Sequence, residues 1–171
     1  DGWRFLIIGR SLERLSFLAN GIAQFLRMPL TNGSGNLEWL LELADSIITY
    51  RSRYSRLPEL LPVLDLLVFD DSNPHGVIFQ ASVLTSYLEH MARELDDSSG
   101  SDLPDVLARL RAFDLDSLQH LPYGEYNTCA ACMALAGLLG ELDQAANRVA
   151  NWLGMRYFTH VGDVSRQTMA L

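Results

Sequence analysis

Apolar residues return every three or four positions along most of this chain, and the breaks in that rhythm divide it into helices. In the first stretch Trp3, Leu6, Ile7, Phe17, Leu18, Ile22 and Phe25 keep helical spacing, which predicts a helix from about Trp3 to Met28. Pro29 and the run Thr31-Asn32-Gly33-Ser34-Gly35 end it. A second helix starts with Asn36 as N-cap and runs to about Arg56 on Leu37, Leu40, Leu41, Ala44, Ile47 and Ile48, with Arg51 and Tyr54 next in register. Pro58 stops it, and Pro62 to Phe69 reads as a short helix buried on most sides.

Asp70-Asp71-Ser72-Asn73 is a turn, after which Asn73-Pro74 supplies an N-cap and first-turn proline for a third long helix to about Leu95. Its apolar face is Val77, Ala81, Leu84, Leu88 and Met91. The stretch from Asp96 to Asp102 is polar and reads as a loop. Leu103 to Phe113 is amphipathic, with a shorter turn around Leu115 to Leu118. The last helix starts near Asn127 and runs to about Arg156 on Cys132, Leu135, Leu138, Leu139, Leu142, Ala146, Val149, Trp152 and Leu153. No segment alternates with a period of two. The expected fold is all-α, an up-down bundle of about five or six helices joined by short loops.

Composition narrows the class. At 171 residues, 49% apolar and 20% charged, the chain is an ordinary globular length and balance, and residues 1–171 read as a single helical domain. A formal net charge of −8 argues against nucleic acid as a partner, because phosphate binding needs a clustered basic surface. The longest apolar run, Leu60 to Phe69, carries Pro62 and Asp65 and falls short of the roughly 20 residues of a membrane span. With no basic-then-apolar leader, the expected location is cytoplasmic. The chain opens at Asp1 directly in helical pattern, which suggests a fragment of a longer polypeptide.

Charges interrupt the apolar stripes. Extending Trp3, Leu6 and Ile7 forward by three or four meets Arg10, then Glu13 and Arg14, then Phe17. Arg51 falls one turn past Ile47 and Ile48 and just before Tyr54, and Asp65 sits inside the short apolar segment. Charge in a bundle core costs several kcal/mol unless paired. The expectation is therefore a network in which Glu13 and Asp65 accept from Arg10, Arg14 and Arg51, with Tyr54 completing it. Arginine suits this because its planar fork satisfies a carboxylate with two bonds. Such a network either fixes helix register or, having three arginines against two carboxylates, binds an anionic ligand with the surplus charge. A third possibility is that some of these side chains reach solvent.

The same residues carry a resemblance. Trp3-Arg4-Phe5-Leu6-Ile7-Ile8-Gly9-Arg10-Ser11-Leu12-Glu13-Arg14 resembles the segment for which the bacterial alpha-E family is named, and it is similar to the C-terminal half of that family's helical domain. Tyr50-Arg51-Ser52-Arg53-Tyr54, Val63-Leu64-Asp65-Leu66-Leu67 leading to Asp70 and Asn73-Pro74, and Tyr157-Phe158-Thr159-His160 continue the likeness in order. The resemblance implies an all-helical fold and a bacterial source. It also implies association with circularly permuted ATP-grasp proteins and transglutaminase-like peptidases, hence a role in ATP-dependent formation or modification of a peptide-like product.

Other motifs carry less. Cys129-Ala-Ala-Cys132 has redox spacing but follows no strand, and a zinc site lacks a second ligand pair; packing at a helix crossing accounts for it. His90 and Glu94 are four apart, yet no Glu-x-x-His occurs for a di-iron site, so both read as solvent-facing. His75 after Pro74 reads as exposed, and Tyr157 and Phe158 read as capping the bundle end. With no GxGxxG, P-loop or Gly-x-Ser-x-Gly, neither metal nor cofactor is expected. Three functions stay open: a non-catalytic module binding a partner or an acidic or peptide ligand; an enzyme with Glu13 or Asp65 as acid/base; and a structural module that pairs with a counterpart or with a second copy as a homo-oligomer.

Overall fold

The computed structural model describes residues 2–29, 35–55, 57–95, 101–119, 121 and 125–158. The expectations placed on Gly33-Ser34, residues 96–100, Thr159 and His160 lie outside the described residues. All regular structure among the described residues is helical: α1 Gly2–Arg27, α2 Gly35–Leu43, α3 Ile47–Tyr54, α4 Leu60–Leu64, α5 Val77–Leu95, α6 Leu103–Arg111 and α7 Ala130–Phe158. A π-helical turn, Asp65–Phe69, extends α4, and 3-10 turns lie at Leu115–Leu118 and Tyr126–Thr128.

Four of these helices make the bundle. α1 packs along α7, α7 along α6, α6 along α5, and α5 closes the ring against α1. Cross-contacts fix the directions. Phe5 at the start of α1 meets Tyr157 at the end of α7, ring centroids 4.7 Å apart. Arg27 at the other end of α1 donates to the Ala136 carbonyl near the start of α7, at 3.1 Å. Arg109 pairs with Glu141, and Arg148 with Asp102 at 2.5 Å, so α6 and α7 also run antiparallel. Arg111 donates to Ser82 Oγ at 2.7 Å, which does the same for α6 and α5. The result is the up-down arrangement expected from the sequence.

The core is an unbroken apolar stripe from each helix. α1 contributes Ile8, Leu12, Leu15, Ala19, Ile22 and Leu26; α7 contributes Cys132, Leu135, Leu139, Leu142, Ala146, Val149 and Leu153. Val77, Ala81, Leu84, Leu88 and Met91 enter from α5, as their spacing predicts, and Leu103, Val106, Leu107 and Leu110 from α6. Each large side chain taken out of water here contributes about 1.5–3 kcal/mol.

Several boundaries differ from the sequence reading, each for a local reason. The single second helix is two, because Asp45 takes a left-handed backbone (φ 51°) that a short polar side chain tolerates. Ser46, fully buried, stabilises the break by donating its hydroxyl to the Ala44 carbonyl at 3.0 Å, while its N–H donates to Leu41 at 2.8 Å. The break turns α3 so that Tyr50 is buried and Ile48, expected in the stripe, is 81% exposed. α3 stops at Tyr54, where Ser55 is again left-handed (φ 48°).

α5 begins at Val77 because Asn73 serves the turn instead of capping a helix. Its side-chain oxygen accepts from the His75 N–H at 3.1 Å, and its amide donates to the Leu66 carbonyl at 2.9 Å. Glycine suits position 76 in that turn, since a Cβ there would stand only 3.1 Å from the Asn73 carbonyl oxygen and 3.3 Å from that of Asp70. α7 begins at Ala130, after the Tyr126–Thr128 turn, with Cys129 as its cap. The Cys129 carbonyl accepts from Met133 at 3.0 Å and its sulfur from the Cys132 N–H at 3.5 Å.

A candidate binding face on the first helix

The structure does not gather the six charged and aromatic side chains that the sequence placed together. Arg10, Glu13 and Arg14 are exposed on α1, and Arg51 is exposed on α3, where it pairs with Glu38 of α2 at 3.7 Å. Only Tyr54 and Asp65 meet: the phenol donates to the carboxylate across 3.2 Å. The expected core network of Arg10, Glu13, Arg14 and Arg51 is therefore corrected to a surface arrangement.

The reason lies in α1. A helix repeating every three and four residues has two such stripes on opposite sides. Ile8, Leu12, Leu15, Ala19, Ile22 and Leu26 form the inner one. Trp3, Leu6, Arg10, Glu13, Phe17, Asn20 and Gln24 form the other, and all seven are exposed. Because Trp3 and Leu6 open the outer stripe with apolar residues, it reads as buried until the charges arrive. The inner stripe is the one that no charge interrupts, and that continuity is the signal that identifies it. Trp3 is 68% exposed, and Leu6 and Phe17 are each 53% exposed.

Beside this face is a shallow cleft of about 200 Å³ lined by Arg14, Phe17, Leu43, Asp45 and His75. Leu43 comes from the end of α2 and leans on α1 near Gly21, whose Cβ would be 3.7 Å from it. His75, expected to be exposed, is half-buried against this cleft by the tight turn at Asn73. Drug-sized ligands occupy roughly 300–1,000 Å³, so the cleft suits one or two side chains or a small anion. Among the described residues neither Arg10 nor Glu13 is held in an ion pair, which leaves the outer charges of α1 available.

A second polar cluster joins α3 to the turn after α4. Arg53 pairs with Asp70, and Asp70 Oδ1 also accepts from the Ser72 N–H at 2.8 Å and the Ser72 hydroxyl at 2.6 Å. Partial burial opposes the Asp70 charge, but the Ser72 and Arg53 hydrogen bonds outweigh it and hold the carboxyl below its ordinary range. Burial, then the adjacent Asp65 carboxylate, pushes the Tyr54 hydroxyl up. Tyr50, buried under the Tyr54 ring at 4.8 Å, accepts from the Glu59 N–H at 3.2 Å and donates to the Leu57 carbonyl at 3.3 Å. Sequence reasoning singled out Arg51 and missed Arg53, because the break at Asp45 that sets the rotation of α3 was not foreseen. The Asp-Asp-Ser-Asn run was legible as a turn, and its first aspartate as a hydrogen-bond acceptor.

The cysteines have structural work. Both are free; Cys132 is buried, and burial followed by the Cys129 contact pushes its thiol up to about 12. A thiol so raised is a poor nucleophile and metal ligand. Among the described residues no three His, Cys, Asp or Glu side chains stand close enough to hold a metal ion. None of the described helices is long and apolar enough to cross a membrane.

Comparison with known proteins places these features in a group. The chain is 29% identical over 107 residues to uncharacterized proteins of Mycobacterium tuberculosis (strain H37Rv) and Mycobacterium bovis. The similarity covers 61% of this chain and only 12% of each of those much longer relatives. No solved structure matches the chain significantly. Residues 1–158 match the family model called Alpha-E, "a predicted alpha-helical domain with a conserved ER motif". The match is to the family domain as such, a coarser statement than the C-terminal half suggested by the motifs. The sequence holds a single Glu-Arg step, Glu13-Arg14 on the exposed side of α1. A continuous helical bundle and that family match over nearly its whole length together mean that the chain belongs to the Alpha-E family.

Proposed function

We propose that this domain is a non-catalytic binding module of a peptide-modifying system, and that it engages its partner through the outer face of α1. The observation that carries the reading is the position of Glu13-Arg14. These residues and Arg10 stand in solvent between exposed Trp3, Leu6 and Phe17, where they hold no part of the core together. Single exposed apolar residues are ordinary, but aromatic and arginine side chains grouped along one helix face have the composition of an interface centre. The Arg14 cleft beside them, which Asp45 also lines, has room for one or two side chains of a partner.

The partner class is a circularly permuted ATP-grasp or transglutaminase-like protein, in keeping with the family's associations. The Mycobacterium relatives, of which this chain covers 12%, are long enough to carry such further domains in the same polypeptide. An accessory role also fits the two acid/base candidates. Glu13 stands in open solvent, and Asp65 is occupied by Tyr54.

The test is a calorimetric titration of the domain against an ATP-grasp protein from the same genome, run beside thermal unfolding. Arg14→Ala and Phe17→Ala should weaken binding about tenfold or more while leaving the unfolding midpoint in place. Loss of stability with no binding to lose would refute the reading.

A further inference from the structure

A groove of about 300 Å³ runs between α5 and α6. From α5 it is lined by Ser82, Thr85, Ser86 and Glu89, and from α6 by Pro104, Leu107, Ala108 and Arg111. The two helices are antiparallel, so Arg111 closes the end at Ser82, and Glu89 stands at the other end with Pro104. The small side chains of Ser86 and Ala108 leave the middle open. A second cleft of about 530 Å³ shares Ser82, Ser86 and Arg111 and has an apolar wall of half-buried Phe79, Val83 and Tyr87.

Three polar groups along this groove are uncommitted. Arg111 donates to Ser82 Oγ at 2.7 Å and to nothing else among the described residues, although a guanidinium carries five N–H donors. The Ser82 hydroxyl is itself fixed by donating to the Ile78 carbonyl at 2.6 Å. Arg93, one turn beyond Glu89, donates to the Glu89 carbonyl and not to its carboxylate, which holds no ion pair among the described residues. Between the two ends lies Thr85 Oγ1, buried and without a hydrogen-bond partner. A buried hydroxyl left unpaired is costly and uncommon. Threonine in a helix has two χ1 rotamers open to it. This hydroxyl bonds no carbonyl of the preceding turn, so swinging it into the groove breaks nothing.

We propose that the groove binds a peptide of about three residues with both ends free, its carboxylate on Arg111 and its ammonium group on Glu89. A simple anion is disfavoured, because Glu89 and, in the second cleft, Asp71 repel it. The length follows from the helix. Ser82 and Glu89 are seven positions apart, about 10 Å of rise, and an extended chain covers roughly 3.3–3.6 Å per residue. The arginine fork meets a carboxylate with two parallel bonds, and the Thr85 hydroxyl meets a peptide group between the ends. Because Arg111 borders both clefts, the side chain of the C-terminal residue falls against Phe79, Val83 and Tyr87, which favours an apolar one. This site is separate from the α1 face and does not depend on its occupant.

Titration of the isotope-labelled domain with Ala-Ala-Phe, followed by NMR, tests the site. Amide signals of residues 82–89 and 104–111 should move, with a dissociation constant on the order of 1 mM or below. N-acetylation or C-amidation of the peptide removes one terminal charge, and each should weaken binding about tenfold. Arg111→Gln should weaken the free peptide by the same factor and the C-amide no further. Glu89→Gln should weaken the free peptide likewise and leave the N-acetyl form unchanged. Thr85→Val should weaken binding several-fold without lowering the unfolding midpoint, since the hydroxyl it removes has no partner within the domain. Blocked peptides that bind as well as the free one, inorganic phosphate that binds as tightly, or signals of α5 and α6 that stay in place would each overturn the inference. Arg14→Ala and Phe17→Ala should leave this titration unchanged, so failure here is distinguishable from failure of the α1 reading.

Discussion

Tyr54 donates its hydroxyl to Asp65 across 3.2 Å, and this is the one contact that joins two of the side chains the sequence grouped. It links the last turn of α3 to the π-helical turn that extends α4. Asp65 is thus tied to its neighbour by a phenol. Both groups are half-buried, so the bond is shielded enough to matter to stability.

Tyr54→Phe removes the donor and keeps the ring on Tyr50. The expected cost is about 1 kcal/mol, a fall in unfolding midpoint of roughly 2–4 °C for a chain of this size. Asp65→Ala, which removes the acceptor, should cost a similar amount or more, and the double variant should cost less than the two added. Strict additivity would show that the two side chains do not interact in solution.

The Asp70 carboxyl gives the protein part of its acid limit. Its folded value lies below the ordinary 3.8, so between the two the unfolded chain binds more protons and stability rises with pH. The contribution is complete above the unfolded value and fades as pH falls through the folded one. Denaturant unfolding from neutral pH down to about pH 2 should show Asp70→Asn less stable than wild type near neutrality. The gap should begin to narrow at about pH 4 and close only as pH falls through the lower folded value. A constant gap across the whole range would contradict a charge-dependent role.

The two stripes of α1 predict opposite responses to truncation. Leu15 is fully buried, and Leu15→Ala should cost about 2–5 kcal/mol through lost burial and the cavity left behind. Leu6 is 53% exposed, and Leu6→Ala in the monomer should change stability by no more than about 0.5 kcal/mol. Equal losses at both positions would mean that the outer stripe is covered within the monomer itself.

Cysteine labelling separates packing from chemistry. At pH 8 Cys132, with its thiol pushed up to about 12, is almost wholly protonated and shut off from solvent. Alkylation of native protein should modify Cys129 first and Cys132 only at the rate of unfolding. Rapid, equal labelling of both would argue for an accessible redox or metal site.

How much of this was legible beforehand depends on the kind of signal. The inner stripes of α5 and α7 were read correctly because Val77 to Met91 and Cys132 to Leu153 each keep one apolar face and no competing one. α1 misled because both faces begin with large apolar residues, and periodicity cannot say which of two stripes finds a partner. The break at Asp45 was invisible because Leu41, Ala44, Ile47 and Ile48 continue a helical spacing straight through it. The hydrogen bonds of Ser46 decide it, and they exist only once that serine is buried.

What the sequence determined by itself is the all-α class, the helical segments and the identity of the Glu13-Arg14 step, since these depend on neighbours a few positions apart. Which face of α1 meets the core, where α3 points, and that Arg53 and Asp70 pair while Arg10 and Glu13 stay in water were decided by the tertiary structure alone. Burial is a property of the whole packed ring of helices. α7 and α5 can cover only one side of α1, and they cover the side that no charge interrupts, because desolvating Arg10 and Glu13 costs more than leaving Trp3, Leu6 and Phe17 in water.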